Sequence, residues 1–334
     1  MQDMIKQIKN QIALHTKIAH SAIAQYDFDV IQIELLKHSE NTTFKLATNK
    51  GDFLLRVHRG VYCTIQDIEY EAKIIDHLRN CKIYSYQQPI RNRDGNFVSI
   101  GTASGTSQPV SILSWIAHQP LNYYANDLSI FIKLGELIAN IHNQLATWDQ
   151  PNNFQRPLLD TNGLIGANGA LGYAPVAYSC LDNKVVNDFQ LVCDRLIKIE
   201  TKIGRNSQVF GLIHADLHLG NALWDGHSII PIDFDDSGWG YYIYDLAVPL
   251  AKYWATSDYL EIKTNLLAGY RSHRELSIEI ETQLPLFIAA RFILGVLWLV
   301  GRAKTNLAVR EDTAEWTQMY TRKVQDILNN SIYF

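Results

Sequence analysis

The stretch richest in chemistry is residues 211–236, GLIHADLHLGNALWDGHSIIPIDFDD. Within it His214, Asp216, Asn221 and Asp233 follow one another in an order that suits metal-assisted phosphoryl transfer. That reaction asks for little covalent work. The protein must position an attacking oxygen, take or orient its proton, and neutralise charge on the phosphates. The amide oxygen of Asn221 and the carboxylate of Asp233 form a hard, oxygen-rich pair suited to Mg2+, which keeps waters and nucleotide phosphates as its remaining ligands. Asp216 is then the catalytic residue that faces a hydroxyl.

The flanking sequence predicts how these groups meet. Residues 211–213 are a short apolar run ending in a polar turn, and residues 221–224 have strand character. Asp225-Gly226 is a strong signal for a two-residue hairpin turn, and residues 228–234 return as a second strand. Folding there sets Asn221 beside Asp233.

Upstream, residues 1–25 read as one or two helices, with Ile5, Ile8, Ile12 and Leu14 at helical spacing. Residues 29–58 switch to strands, with a turn at residues 49–52. Strict alternation in the last of these puts Phe53, Leu55 and Val57 on one face and Leu54, Arg56 and His58 on the other. Arg56 is thereby placed to reach a nucleotide beneath the sheet. Residues 65–78 form an amphipathic helix, and residues 89–116 close the sheet with Asp94-Gly95 as its hairpin turn. Residues 111–121 read as a linker.

Beyond the linker the pattern is mainly helical, at residues 127–146, 188–203, 245–255, 258–271 and 284–301. Asp127, Asn187 and Asp245 are placed as N-caps and Gly204 as a stop. Residues 150–180, rich in Pro, Gly and Asn, read as a loop over the substrate side. The expectation is an α+β protein, with a small antiparallel-sheet lobe and a helical lobe enclosing one cleft.

His214-x-Asp216-x-x-x-x-Asn221 followed by Ile232-Asp233-Phe234-Asp235 resembles the signature of the aminoglycoside phosphotransferase and choline kinase superfamily. The likeness spans most of the chain, through residues 53–58, 71–78, 111–116 and 244–247, and its flavour is nearest the homoserine-kinase-like and hydroxylysine-kinase-like enzymes. It implies a bilobal protein-kinase-like fold: a nucleotide-binding lobe at residues 1–113, a hinge at 114–121 and a helical lobe at 122–334.

The resemblance also implies roles. His214 braces the catalytic loop, and Arg56 stands where kinases carry a phosphate-binding Lys, with Glu71 as its helix partner and Glu69 the competitor. Asn41 and Thr42 lie in a phosphate turn that lacks the family's Gly. The Ser114 carbonyl and the Ile116 amide meet the adenine edge. The implied cofactors are ATP, with GTP the alternative donor, and Mg2+. Asp235, Asp236 and Trp239 follow the metal carboxylate at the substrate side, where acids and an aromatic face suit a cationic amine. Asp245 ties back to the catalytic loop.

Composition narrows the partners. With 334 residues, 47% hydrophobic and a net charge of −4, the chain can bury a large core and has no Lys/Arg cluster that would point to nucleic acid or anionic membrane. Cys63, Cys81, Cys180 and Cys193 are scattered and read as ordinary thiols. The N-terminal segment lacks the layout of a signal peptide. Residues 284–301 nearly match a membrane span, but Arg291 near their centre would be costly in lipid, so a buried helix is expected. These features predict a cytoplasmic enzyme, monomer or homodimer, that phosphorylates a hydroxyl of a small molecule such as an antibiotic or an amino alcohol. The alternatives are a protein kinase of the same fold, disfavoured by the short stretch from Asp233 to Asp245, and a nucleotide-binding pseudokinase, suggested by the Gly-less turn.

Overall fold

The computed structural model describes residues 2–58, 64–169, 171, 174–305 and 313–329. Cys63 and parts of the 150–180 loop lie outside the described residues. The chain divides into two compact units, one holding residues 1–82, 86–117 and 153–155 and the other holding the remainder.

In the first unit, helix α1 (Gln2–Ile23) precedes strands β1 (Val30–His38), β2 (Thr42–Thr48) and β3 (Gly51–Val57). Helix α2 (Ile65–Asn80) and strands β4 (Val98–Ala103) and β5 (Thr106–Ser114) follow. The sheet is antiparallel in the order β1-β2-β3-β5-β4. Alternation decides its faces: Phe44 and Leu46 of β2 and Leu55 and Val57 of β3 pack with Ile18, Ala19 and Ala22 of α1. Helix α2 starts with a capping box, in which Thr64 Oγ1 accepts from Asp67 N while Asp67 accepts from Thr64 N.

The second unit contains β6 (Gln119–Pro120), α3 (Ile130–Ala146), β7 (Leu158–Leu159), α4 (Thr161–Ile165), α5 (Ala174–Tyr178) and α6 (Asn183–Ile203). Then come β8 (Phe210–Ile213), β9 (Ala222–Trp224), β10 (Ile229–Pro231), β11 (Gly238–Tyr241) and α7 (Tyr242–Ala251). Helices α8 (Tyr259–Arg271), α9 (Ile278–Glu281), α10 (Leu284–Thr305) and α11 (Thr313–Asn329) complete it. Helices α3 and α8 touch through glycine: a Cβ on Gly135 would lie 2.0 Å from Leu266 O, and one on Gly269 1.9 Å from Ile132 O.

Helix α10 has the length and apolarity to cross a membrane, yet α5, α6, α7 and α11 pack against it and most of its side chains are buried. It is a core helix, as expected from Arg291.

Several local expectations are corrected. The sheet-closing hairpin turns at Ser104 and Gly105 (φ 52° and 78°), because successive left-handed residues match the strand twist; Asp94-Gly95 instead makes a turn ahead of β4. Residues 111–114 belong to β5, so the chain leaves the sheet later than the linker reading placed it. The β9–β10 connection has four residues, since Asp225 Oδ1 accepts from both His227 N and Ser228 N and holds the loop open beyond a two-residue turn.

Asp127 is not an N-cap; it accepts from Ser129 N and Oγ before α3 begins. Asn187 lies inside α6 and Asp245 inside the first turn of α7. Gly204 does end α6, at φ 68°. Helix α11 was not anticipated, although Trp316, Tyr320, Val324 and Ile327 repeat at helical spacing.

Candidate active site

The loop between β8 and β9 carries Asp216, and Asp245 holds it in place. The N–H groups of His214 and Ala215 donate to Asp245 Oδ2 and Oδ1 at 2.8 and 2.7 Å. A third donor, His142 Nε2 on α3, reaches Oδ2 at 3.0 Å. Burial by itself would raise the Asp245 carboxyl, but the His142 hydrogen bond, the nearby imidazoles and the loop amide outweigh it, so its pKa is held below the usual value. His142 is pushed down, because burial outweighs its attraction to Asp245. Because the Asp245 carboxylate can only accept, a neutral His142 ring carries its proton on Nε2, and its Nδ1, 3.0 Å from the Tyr270 hydroxyl, accepts. Ala215 sits in the left-handed region at φ 67°, a conformation that costs a non-glycine residue ~1–2 kcal/mol and that the paired amide contacts offset.

His214 extends the same bracing. It is fully buried and its pKa is lowered by that burial. Its Nδ1 accepts from Asp216 N at 3.3 Å, its Nε2 donates to Ile232 O at 3.1 Å, and its ring lies 4.4 Å from that of Phe234. One imidazole thus joins the backbone of Asp216 to the segment carrying Asp233.

Asp216 is half-buried. Its Oδ2 accepts from Asn221 Nδ2 at 2.8 Å, and its Oδ1 accepts from Arg291 of α10. His218 Nε2 lies 3.7 Å from Oδ2, too far for a hydrogen bond, while His218 Nδ1 accepts from Gly220 N at 2.9 Å. Asn221 Nδ2 also donates to Asp216 O at 3.0 Å, which uses both amide protons and orients Oδ1 as the remaining acceptor. Asn221 O accepts from Ile232 N at 3.0 Å, so Asp233, at φ 68°, follows directly beside Asn221.

This donor set fits a hard divalent cation that keeps phosphate and water ligands: an oriented amide oxygen and a carboxylate on adjacent turns. Among the described residues no group of three or more His, Cys, Asp and Glu side chains gathers as a metal cage.

Past Asp233, Arg156 organises the chain. Its Nε donates to Ser237 O at 2.6 Å and its Nη2 to the Asp235 carbonyl. Asp235 and Asp236 are half-buried, and the Asp236 charge is felt at Arg291. Trp239 lies in β11, paired to Leu212 and Leu158, with its N–H donated to Pro157 O at 2.8 Å.

In the first unit, Arg56 Nη2 and Glu71 Oε2 are 2.7 Å apart in a pair with side chains 6% and 1% exposed. Glu69 is engaged elsewhere, accepting from Val98 N at 2.9 Å. Thr42 is turned inward: it is fully buried, with its hydroxyl 2.5 Å from His15 Nδ1 and 2.7 Å from His38 Nδ1. Its hydroxyl therefore anchors the strand. Asn41 is half-buried at the β1–β2 turn, its carbonyl accepting from Ser39 N. The Ser114 carbonyl accepts from Gln87 Nε2 at 3.1 Å, and Ile116 is half-buried just beyond β5.

The sequence reading passed over His142, Arg156 and Arg291 as parts of this site. Arg291 left a trace, because a cation inside an apolar helix requires a buried partner. His142 and Arg156 gave no local signal.

Comparison with known proteins adds the family. The profile of the Phosphotransferase enzyme family matches residues 32–277. The chain belongs to this family. It is accordingly a phosphotransferase, of the small-molecule kinase kind, within the aminoglycoside phosphotransferase and choline kinase superfamily. Among its relatives is the amicoumacin kinase of Bacillus subtilis (strain 168), 23% identical over 88% of this chain and 87% of that one. The homoserine kinase of Neisseria meningitidis serogroup B (strain MC58) is 32% identical over 73% and 74%. Among solved structures, a microcompartment-associated aminopropanol kinase aligns with TM-score 0.77 at 25% identity, covering 95% of this chain and 98% of its own. An amicoumacin kinase in complex with AMP-PNP, Ca2+ and Ami aligns with the same TM-score at 20% identity, over 98% and 96%. These neighbours share the bilobal protein-kinase-like fold.

Proposed function

We propose that this phosphotransferase moves the γ-phosphoryl group of ATP, with Mg2+, onto a hydroxyl of a small molecule in the cytoplasm. The observation that carries the reading is the Asp216–Asn221 pair: a carboxylate and an amide held 2.8 Å apart on a loop fixed by His214 and Asp245. In the proposed step Asp216 orients the acceptor hydroxyl and receives its proton. The oxygen bonds to the γ-phosphorus as the bond to the bridging oxygen breaks, and ADP leaves with that electron pair. A bound Mg2+ supplies charge neutralisation at the phosphates, and Asn221 and Asp233 are the side chains that would hold it. The Arg56–Glu71 pair is assigned to phosphate contact, the segment around Asn41 to the phosphate turn, and Ser114 and Ile116 to adenine.

The acceptor side is assigned to Asp235, Asp236 and Trp239, which offer an amine two carboxylates and an aromatic face. An amicoumacin kinase and homoserine kinases among the relatives, and an aminopropanol kinase among the structural neighbours, support an alcohol of this kind.

A coupled ADP-release assay with Mg-ATP tests the reading across aminoglycosides, other antibiotics, homoserine, hydroxylysine, choline and sugars. Release stimulated by one small alcohol, and lowered roughly 10²- to 10⁴-fold by Asp216→Ala with nucleotide binding retained, is the expected result. An alanine variant with unchanged turnover refutes the role of Asp216.

A further inference from the structure

A cavity of ≈ 590 Å³ opens beside the catalytic loop, within the second unit. Its walls come from the loop (His218, Leu219, Gly220), the end of α7 with Lys252 and Tyr253, α10 (Arg291, Phe292) and α11 (Trp316, Tyr320, Lys323). Arg291 is shared, since it lines the cavity and also donates to Asp216. The cavity is thus linked to the Asp216 carboxylate through the side chain of Arg291. The size suits a drug-sized molecule and would leave an amino alcohol of a few atoms poorly enclosed.

The lining charge has one sign. Lys252, Arg291 and Lys323 border the cavity, and among the described residues no Asp or Glu does. Of the two acids on α11, Glu315 lines a neighbouring depression with Arg322, and Asp326 lines neither. Arg291 has Asp216 as its carboxylate partner, but neither Lys252 nor Lys323 has one among the described residues. Lys323 Nζ instead lies 5.1 Å from the Phe292 ring centre and 3.5 Å from Trp254 O. Burial pushes its pKa down, the mark of a cation held partly out of water without a counter-charge. Phe292, Trp316, Tyr320 and Tyr253 supply flat apolar walls. Three cations converging on one pocket, two of them with no carboxylate partner among the described residues, favour an anion there.

We propose that this cavity is the acceptor subsite and that it selects an alcohol carrying a carboxylate-type anion on a flat, apolar body. The proposal rests on the kinase reading for the identity of the reaction but not for the binding itself. Lys323 and Lys252 receive the anion, the aromatic side chains enclose the body, and Arg291 sits between the anion and Asp216. An amine on the same acceptor would be left for Asp235 and Asp236.

Three matched alcohols test it: para-hydroxymethyl benzoate, its neutral benzamide, and para-aminomethyl benzyl alcohol. Binding is measured by calorimetry on the full chain saturated with AMP-PNP and Mg2+, then repeated with Lys323→Gln and Lys252→Gln. The benzoate is expected to bind tightest, and each lysine variant to weaken it roughly 10-fold while leaving the amide unchanged. Equal binding of the three, no benzoate binding, unchanged benzoate affinity in both variants, or competition between benzoate and AMP-PNP would each overturn the subsite. ADP release is read separately. Benzoate-selective binding without release from any alcohol would keep the subsite and reject the kinase reading, whereas release from neutral or cationic alcohols alone would do the reverse.

Discussion

Arg291 donates to Asp216 Oδ1 across 75 positions of sequence, joining the core helix α10 to the loop between β8 and β9. The guanidinium is only partly exposed, and the neighbouring Asp216 and Tyr244 hold its pKa above the usual arginine value despite burial. Asn221 occupies the other carboxylate oxygen, so Asp216 is oriented from both sides.

In the proposed mechanism Arg291 is a positioning residue for Asp216. Arg291→Lys keeps the charge but loses the planar fork. Turnover at saturating ATP is expected to fall roughly 10- to 100-fold through misplacement of Asp216, with nucleotide affinity unchanged. Steady-state kinetics beside equilibrium nucleotide binding decides it: parallel loss of both would point to general unfolding, and wild-type turnover would remove Arg291 from the mechanism.

The metal assignment has a clean substitution. Asp233 lies at φ 68°, where asparagine is tolerated far better than alanine, so Asp233→Asn removes the charge without straining the backbone. The Mg2+ concentration for half-maximal activity should rise roughly 10- to 100-fold or more, and chelation should stop the wild-type reaction. A magnesium titration that overlays wild type would reject Asp233 as a ligand.

Stability should depend on pH through the buried histidines. His58, His142 and His214 all have pKa values lowered by burial. As pH falls below about 6.5, the unfolded chain takes up protons that the folded chain refuses, so stability is full above that value and declines beneath it. Asp245, also lowered, adds a further loss only in stronger acid, below about 4. Urea midpoints measured from about pH 7.5 down to about pH 5 check the first window, and His58→Gln should flatten the slope. A midpoint constant across that range would contradict it.

The relation between sequence and site can be stated residue by residue. Asn221 and Asp233 were readable as neighbours because the two strands between them, β9 and β10, are adjacent in sequence and pair with each other. Glu71 was separable from Glu69 only through the family resemblance, since periodicity does not say which carboxylate faces the sheet. The inward turn of Thr42 was not legible, because it depends on His15 of α1 and His38 of β1, contacts that no window of sequence contains. Asp94-Gly95 and Ser104-Gly105 carry similar turn chemistry, and strand pairing decides which becomes the hairpin. Arg291 and α11 lie far downstream of the β8–β9 loop, which is why the cavity they line with it was invisible.

The last prediction concerns the Arg56–Glu71 pair. With both side chains almost wholly buried and 2.7 Å apart, neither charge can recover its hydration when the other is removed. Glu71→Ala leaves the arginine charge inside the first unit and should cost about 3–5 kcal/mol, read as a lowered urea midpoint. Replacing both residues with apolar ones of similar volume should restore much of that stability, because the cost comes from the orphaned charge rather than from the value of the pair. Nucleotide binding separates structure from function here. If Arg56 contacts phosphate, the double variant remains folded yet has an ATP KM well above wild type; a stable double variant with unchanged ATP KM would confine the pair to packing.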